Sequence, residues 1–116
     1  SSINIDVEIS LSRINSSLWN QLKKLEPTGL GNPTPVFLSR GIKVNNSRTV
    51  GSSGSHLKLS LEEGGCRFPA MWFKAGEKLA VFPSGTAVDV VYSIREDSWN
   101  GSAQLSLNIK DIHYAS

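Results

Sequence analysis

The first residues of the chain alternate between apolar and polar side chains. The apolar members of this run are Ile3, Ile5, Val7 and Ile9. A period of two is typical of a strand with one buried face. We therefore predict a half-buried strand over residues 3–9.

The pattern then changes to the spacing of a short amphipathic helix. Its apolar stripe consists of Leu18, Leu22 and Leu25. These residues lie four and three positions apart, which places them on one helical face. Ser12 or Asn15 is a suitable N-cap, and Pro27 prevents the helix from continuing.

A stiff connection follows the predicted helix. Residues 26–35 contain three prolines and two glycines, a composition typical of a shaped loop and not of a flexible linker. We therefore divide the chain into two parts. Residues 1–35 form an N-terminal strand, helix and connector, and residues 36–116 form the main domain.

The main domain contains five runs with the periodicity of strands. They cover residues 36–44, 56–62, 66–73, 87–95 and 103–114. Residues 45–55 are small and polar, which favours a loop, and residues 74–82 have room for one or two helical turns. Gly64-Gly65 is a tight-turn dipeptide, and Asn100-Gly101 gives a second turn over residues 97–102.

Three strands, a short helix and two further strands are the layout of an OB-fold barrel. An SH3-like barrel and a partial sandwich are the alternatives, but neither places a helix so naturally between the third and fourth strands. We expect bulges at Gly41 and near Lys110-Asp111, where Ile112 departs from the apolar phase. The predicted fold is thus mainly β, a five-stranded OB-fold barrel with a short N-terminal strand-and-helix appendage.

Composition restricts the class of protein. The chain has 116 residues, of which 39% are hydrophobic and 19% charged, as in an ordinary globular domain. No apolar run approaches the length of a membrane span, and the first residues do not resemble a signal peptide. With Cys66 as its one cysteine, the chain has no intrachain disulfide, so we expect a protein of the reducing cytoplasm.

The charges are distributed unevenly along the chain. Residues 36–82 carry seven basic and three acidic side chains, whereas residues 83–116 carry two basic and four acidic ones. A basic central region favours a polyanionic partner, although a mixed solvated surface is an equally good interpretation of charge alone.

The sequence offers little that resembles a catalytic or metal site. His56 and His113 are far apart, and neither has a Cys, Asp or Glu at a metal-ligand spacing. Cys66 begins a predicted strand after a tight turn, which is a suitable place for an inward-facing core thiol. We expect no catalytic residue, metal or cofactor in this chain, which alone is not an enzyme.

A nucleic-acid surface is better supported. OB barrels bind oligonucleotides on the face of their second and third strands and on two adjoining loops, using cations for phosphates and aromatic rings for bases. The residues of this type in those regions are Arg40, Lys43, Arg48, His56, Lys58, Arg67, Trp72 and Trp99. The pattern leaves open whether Trp72 faces solvent or the core, and whether Trp99 stacks on a base or packs across its hairpin.

Three segments resemble one known family. Residues 25–37 (LEPTGLGNPTPVF) resemble the segment that enters the C-terminal OB domain of the RecJ family of bacterial single-strand-specific DNA exonucleases. Val50-Gly51 with residues 56–59 is similar to the second strand of that domain. Residues 94–101 and 105–112 are similar to its fourth and fifth strands. The resemblance extends over most of residues 18–114.

The resemblance implies a module of a larger enzyme. RecJ-type exonucleases degrade single-stranded DNA from the 5′ end, with Mn²⁺ or Mg²⁺ held in DHH and DHHA1 domains. The motifs of those domains do not occur in this chain, so the resemblance implies an OB domain that grips DNA beside the nuclease, in bacterial DNA repair and recombination. The alternative is a structural or protein-interaction module that closes the nuclease or docks a repair partner, with Trp99 as an apolar anchor.

Overall fold

A computed structural model of the chain describes residues 3–25 and 34–116, so most of the predicted connector over residues 26–35 lies outside the described residues. The strands are β1 (Val7–Glu8), β2 (Phe37–Val50), β3 (His56–Glu63), β4 (Cys66–Trp72), β5 (Ala87–Trp99) and β6 (Ser102–Tyr114). Helix α1 spans Ser16–Lys24, and short 3-10 turns cover Leu11–Arg13, Ser52–Gly54 and Gly76–Lys78. None of the helices in these ranges has the length and apolar character needed to cross a bilayer.

Five strands form a closed barrel in the order β2-β3-β4-β6-β5, with β5 pairing back to β2. Four of the five pairings are antiparallel, and the β4–β6 pairing is parallel. This order, with a one-turn helix between β4 and β5, confirms the predicted OB fold. Strand β1 lies outside this ring and runs parallel to the start of β2.

Strand β2 is longer than predicted. Residues 45–50, which we expected to belong to a loop, continue the strand and pair with β3, so the loop prediction is wrong for them. The first half of β2 pairs with β5 and the second half with β3, and the strand bends between them at two register shifts. One shift lies at Gly41, as predicted, and the other between Val44 and Asn46. Backbone pairing, not apolar side chains, keeps this polar segment extended.

The β5–β6 hairpin also extends beyond its predicted ends. Residues 97–99 belong to β5, and only Asn100 and Gly101 form the turn, with φ angles of 49° and 81°. Positive φ at both positions is typical of a two-residue turn that matches the twist of its strands. Asp111 lies across from Val91 and Ile109 from Tyr92, so Lys110 is the bulged residue, as predicted.

The barrel interior is filled by alternate residues of its strands. Leu57, Leu59 and Leu61 of β3 are buried, and Cys66 packs against the same core, as predicted. Two residues of the N-terminal segment, Leu11 and Ile14, belong to this core.

A hydrogen bond links the N-terminal segment to β3, and a second one caps helix α1. Oε1 of Glu63 accepts a hydrogen bond from the N–H of Leu11 at 2.7 Å. Oδ1 of Asn15 accepts one from the N–H of Leu18 at 2.9 Å, so Asn15, not Ser12, caps α1.

The predicted half-buried strand over residues 3–9 is wrong in its length and burial. Only Val7–Glu8 has strand pairing, and Ile3, Ile5 and Val7 are exposed. The physical reason is the position of β1, which extends the sheet beside β2 and lies outside the closed barrel, whose interior is filled by other residues. Ile9 alone of the four alternating apolar residues packs against the core.

Candidate nucleic-acid interface

The register of the β3–β4 hairpin decides which of its residues face outward. Leu57 lies directly across from Trp72, and Lys58 from Met71. Residues directly opposite each other in an antiparallel pair lie on the same face of the sheet. Trp72 therefore shares the inward face of Leu57 and packs against the core, 6.1 Å from the ring of Phe82. Lys58 and Met71 lie together on the outer face.

The outer faces of β3, β4, β5 and β6 enclose a groove of about 240 Å³. Its lining consists of Lys58, Pro69, Ala70, Met71, Phe73, Arg95, Asp97, Gln104 and Ser106. The β4 side is mainly apolar, whereas the β5–β6 side is polar and charged. An apolar wall beside cations is suited to a ligand with flat rings and negative charges.

The cations on the β5–β6 side of the groove and on its β3 side differ in whether a carboxylate pairs with them. On the β5–β6 side, Nε of Arg95 lies 3.4 Å from Oδ1 of Asp97, whose other oxygen accepts a hydrogen bond from Ser106 at 2.7 Å. On the β3 side, Lys58 has no ion pair with any residue that the structure describes, and Arg48 of β2 lies directly across from it. The Arg48–Lys58 pair is therefore an uncompensated concentration of positive charge beside the groove.

The aromatic side chain of the groove is Phe73. It is 47% exposed and follows β4 directly. Its ring meets the imidazole of His56 edge-on, with centroids 5.2 Å apart and planes at 71°. The next residue, Lys74, has a φ of 64° and donates its backbone N–H to Nδ1 of His56 at 2.9 Å.

Arg67 of β4 lies outside the groove lining and is paired with its cross-strand neighbour Glu62 at 2.6 Å. The hydrogen bonds from Arg67 hold the pKa of Glu62 below its ordinary value, partial burial opposes them, and the charges of Arg67 and Lys43 assist. Lys43 is exposed on β2, directly across from Glu62.

Arg40 lies on another part of the surface. Its guanidinium contacts Glu8 at 3.3 Å and the largely buried Asp89 at 3.4 Å. Oδ1 of Asp89 accepts the N–H of Gly41 at 2.9 Å, and its other oxygen contacts the N–H and hydroxyl of Ser116. Burial alone would raise the pKa of Asp89, but these hydrogen bonds and the charge of Arg40 hold it below its ordinary value.

The structure thus brings together only part of the predicted set. Lys58 lines the groove, Arg48 and His56 adjoin it, and Trp72 packs inward. Trp99 ends β5 and pairs with Ser102, and its side chain lies outside what the structure describes.

Of the nine residues that line the groove, only Lys58 was singled out from the sequence, and the other eight include Met71, Phe73, Arg95 and Gln104. Phe73 could have been found from the two-residue turn at Gly64-Gly65, which fixes the register of the hairpin and thereby turns Trp72 inward. The contribution of β5 and β6 had no comparable signal, because it depends on the parallel pairing of β4 with β6.

The donor chemistry for a metal ion is lacking in the described ranges. Within residues 3–25 and 34–116, no three His, Cys, Asp or Glu side chains come together in a way that could hold one. His113 and Asp111 form an isolated pair at 2.7 Å.

The closed five-strand barrel and its outer groove define an OB-fold domain. The model of one family, described as the RecJ OB domain, matches residues 5–111. This chain belongs to the RecJ OB domain family.

Similar proteins agree with this assignment. The single-stranded-DNA-specific exonuclease RecJ of Bacillus subtilis is 22% identical over 107 residues, which are 92% of this chain and 14% of that protein. The structure of RecJ from Thermus thermophilus in complex with Mn²⁺ is 30% identical and has a TM-score of 0.64, covering 85% of this chain and 14% of that one. The present chain therefore spans about one seventh of the length of these relatives.

The fold also resembles a free-standing domain. Rim1, a mitochondrial single-stranded DNA binding protein of Saccharomyces cerevisiae, superimposes with a TM-score of 0.55 at 20% identity. The match covers 71% of this chain and 94% of Rim1. At this identity the likeness concerns the fold.

Proposed function

We propose that this chain is the single-stranded DNA-binding OB domain of a RecJ-type exonuclease and that the outer groove is its binding surface. The observation that carries the proposal is the position of the exposed Phe73 ring beside Lys58 and the adjoining Arg48. Aromatic rings stack on bases, and cations neutralise phosphates, so this combination suits a single strand. Membership of the RecJ OB family and the likeness to Rim1 support the same ligand.

Titration of a labelled single-stranded oligonucleotide with this chain, followed by fluorescence anisotropy at low and moderate salt, tests the proposal. We expect binding that weakens as salt is added, because phosphate contacts release counterions. Phe73→Ala should weaken binding, whereas Lys110→Ala, which removes an exposed cation on another part of β6, should not. No binding at low salt, or equal losses in the two variants, would contradict the proposed surface.

The hydrolytic reaction is proposed to belong to other domains of the parent enzyme. The relatives are about seven times longer, and the residues described here lack a cluster of metal ligands. In this proposal DHH and DHHA1 domains hold Mn²⁺ or Mg²⁺ and cut the strand, in DNA repair and recombination in the bacterial cytoplasm. Incubating the purified chain with a labelled oligonucleotide and Mn²⁺ should give no cleavage. Cleavage activity that co-purifies with this chain would contradict the assignment of hydrolysis to other domains.

Docking is a second candidate function, favoured by one feature outside the groove. Ile3 and Ile5 are exposed beside a second groove of about 480 Å³ whose lining includes Leu38 and Val91. Charged and polar residues line the rest of this groove, so it joins an apolar patch to hydrogen-bonding groups, a mixed surface that suits contact with the rest of the nuclease or a repair protein. Ile5→Glu should leave oligonucleotide binding unchanged and weaken assembly with the parent domains supplied separately. A loss of oligonucleotide binding instead would place this face in the DNA surface.

A further inference from the structure

His56 closes a small turn at the edge of the groove. Lys74 has a φ of 64°, in the left-handed region that residues other than glycine rarely adopt. Its backbone N–H donates to Nδ1 of His56 at 2.9 Å, across the gap between the end of β4 and the start of β3. This hydrogen bond therefore stabilises an unfavourable backbone conformation.

The hydrogen bond from the Lys74 N–H requires one nitrogen of the His56 imidazole to be without a proton. A backbone N–H can only donate, so Nδ1 of His56 must offer a lone pair, and the ring is neutral with its proton on Nε2. An imidazolium carries hydrogen on both nitrogens and cannot accept. Protonation of His56 therefore breaks its contact with Lys74.

The same imidazole supports the aromatic side chain of the groove. The ring of Phe73 stands edge-on to it, with 5.2 Å between the ring centroids. Phe73 lies between Trp72, which packs against the core, and Lys74, whose backbone N–H is bound to His56. The backbone is therefore held on both sides of Phe73, and this fixes the position of its ring.

We propose that His56 is a positioning residue of the groove, which orients Phe73 and Lys74 for a single strand through the hydrogen bond that its Nδ1 accepts from the Lys74 amide. This inference rests on the proposed function of the groove.

The surroundings of His56 are mainly cationic. It lies on β3, next to the turn that Lys74 occupies and to the 3-10 turn Gly76–Lys78, whose first N–H donates to the carbonyl of Ser55. The charged groups on these elements and across β2 are Arg48, Lys58, Lys74, Glu77 and Lys78. In the described part of the chain, the hydrogen bond of His56 is to Lys74, and no carboxylate forms an ion pair with its ring.

Three variants separate positioning from direct contact. His56→Asn keeps an acceptor near the place of Nδ1, His56→Ala removes it, and Lys74→Gly removes the conformational strain that the hydrogen bond offsets. With a labelled thymidine oligonucleotide, we expect His56→Ala to bind about fivefold more weakly and His56→Asn within about twofold of the unaltered chain. In a Lys74→Gly background, His56→Ala should cause a smaller further loss, because only its edge-on contact with the Phe73 ring remains to be removed. Equal losses for the Asn and Ala variants, or a full additional loss in that background, would overturn the proposal.

An experiment without DNA distinguishes failure of the inference from failure of the proposed function. Hydrogen exchange of the Lys74 amide, followed by NMR at neutral pH, should be slow in the unaltered chain and fast in His56→Ala. If the oligonucleotide does not bind at any salt concentration, the proposed function fails, and this measurement still decides whether His56 holds the turn. Equal exchange in the two proteins overturns the positioning role whatever the DNA result.

Discussion

Nη2 of Arg67 lies 2.6 Å from Oε1 of Glu62, its direct neighbour across the β3–β4 hairpin. Lys58 lies on the same outer face and has no ion pair within the described residues. Arg67 and Lys58 are both basic residues of the same hairpin, but a carboxylate neutralises the charge of Arg67 and none in the described residues neutralises that of Lys58.

This difference predicts unequal effects on DNA binding. Lys58→Gln removes an uncompensated charge and should weaken oligonucleotide binding about fivefold near 0.1 M salt, with a salt slope shallower by about 0.7. The double variant Glu62→Gln with Arg67→Gln leaves the net charge unchanged and should stay within about twofold. Anisotropy titrations over a series of salt concentrations measure both quantities. An equal loss in the double variant would mean that Arg67 leaves Glu62 to contact a phosphate.

Trp72 and Phe73 are adjacent in the chain but are expected to serve different purposes. Trp72→Ala should lower the free energy of unfolding by about 3 kcal/mol, because it leaves a cavity against Phe82 and the core. Phe73→Ala should leave stability nearly unchanged and reduce oligonucleotide affinity by about 1–3 kcal/mol, the value of one stacked base. Urea unfolding and anisotropy on the same samples test the pair. The reverse assignment, with the stability loss in the Phe73 variant, would contradict the register of this hairpin.

Gly76 is expected to be intolerant of any side chain. A Cβ at this position would overlap the carbonyl oxygen of Gly54, which is backbone and has little freedom to move. Gly76→Ala should therefore destabilise the domain by about 2–4 kcal/mol in thermal or urea unfolding. Gly85→Ala is the comparison: it has open space and a φ of 95°, so it measures the cost of backbone conformation alone. Similar costs for the two substitutions would show that the contact with Gly54 relaxes easily.

Asp89 gives the fold a dependence on acid. Its pKa is lower in the folded protein than in the unfolded chain, so its contribution is fully present above the unfolded value and is lost as pH falls through the folded value. Asp89→Asn should lower stability at neutral pH by about 2 kcal/mol, because hydrogen bonds to a charged acceptor are lost. The gap between the two proteins should narrow below about pH 4. A constant difference in urea unfolding from neutral to acidic pH would exclude this role for Asp89.

The sequence contained enough information for the barrel but not for its groove. Alternation in β3 identified Leu57, Leu59 and Leu61 as core residues, and the turn dipeptides located both hairpins. Combined, these two signals also settle the direction of Trp72, because a two-residue turn at Gly64-Gly65 places Trp72 across from Leu57.

Two features could not be predicted in this way. Residues 45–50 have few apolar side chains, and their strand conformation comes from pairing with a partner that is only apparent in three dimensions. The groove depends likewise on the parallel contact of β4 with β6, in which Ala70 lies beside Leu107, and on the Arg95 and Gln104 side chains that this contact brings near Met71.

Both terminal residues of strand β3 accept hydrogen bonds from backbone amides elsewhere in the chain, and this affects which positions of the strand tolerate substitution. Glu63 binds the amide of Leu11 in the segment that completes the core, and His56 binds the amide of Lys74 beside Phe73. Between these anchors, every second side chain belongs to the interior and the others to the surface. A substitution at an outward position of β3 therefore changes the surface and leaves the core contacts of Leu57, Leu59 and Leu61 in place, whereas a substitution at one of these inward positions disturbs the barrel interior.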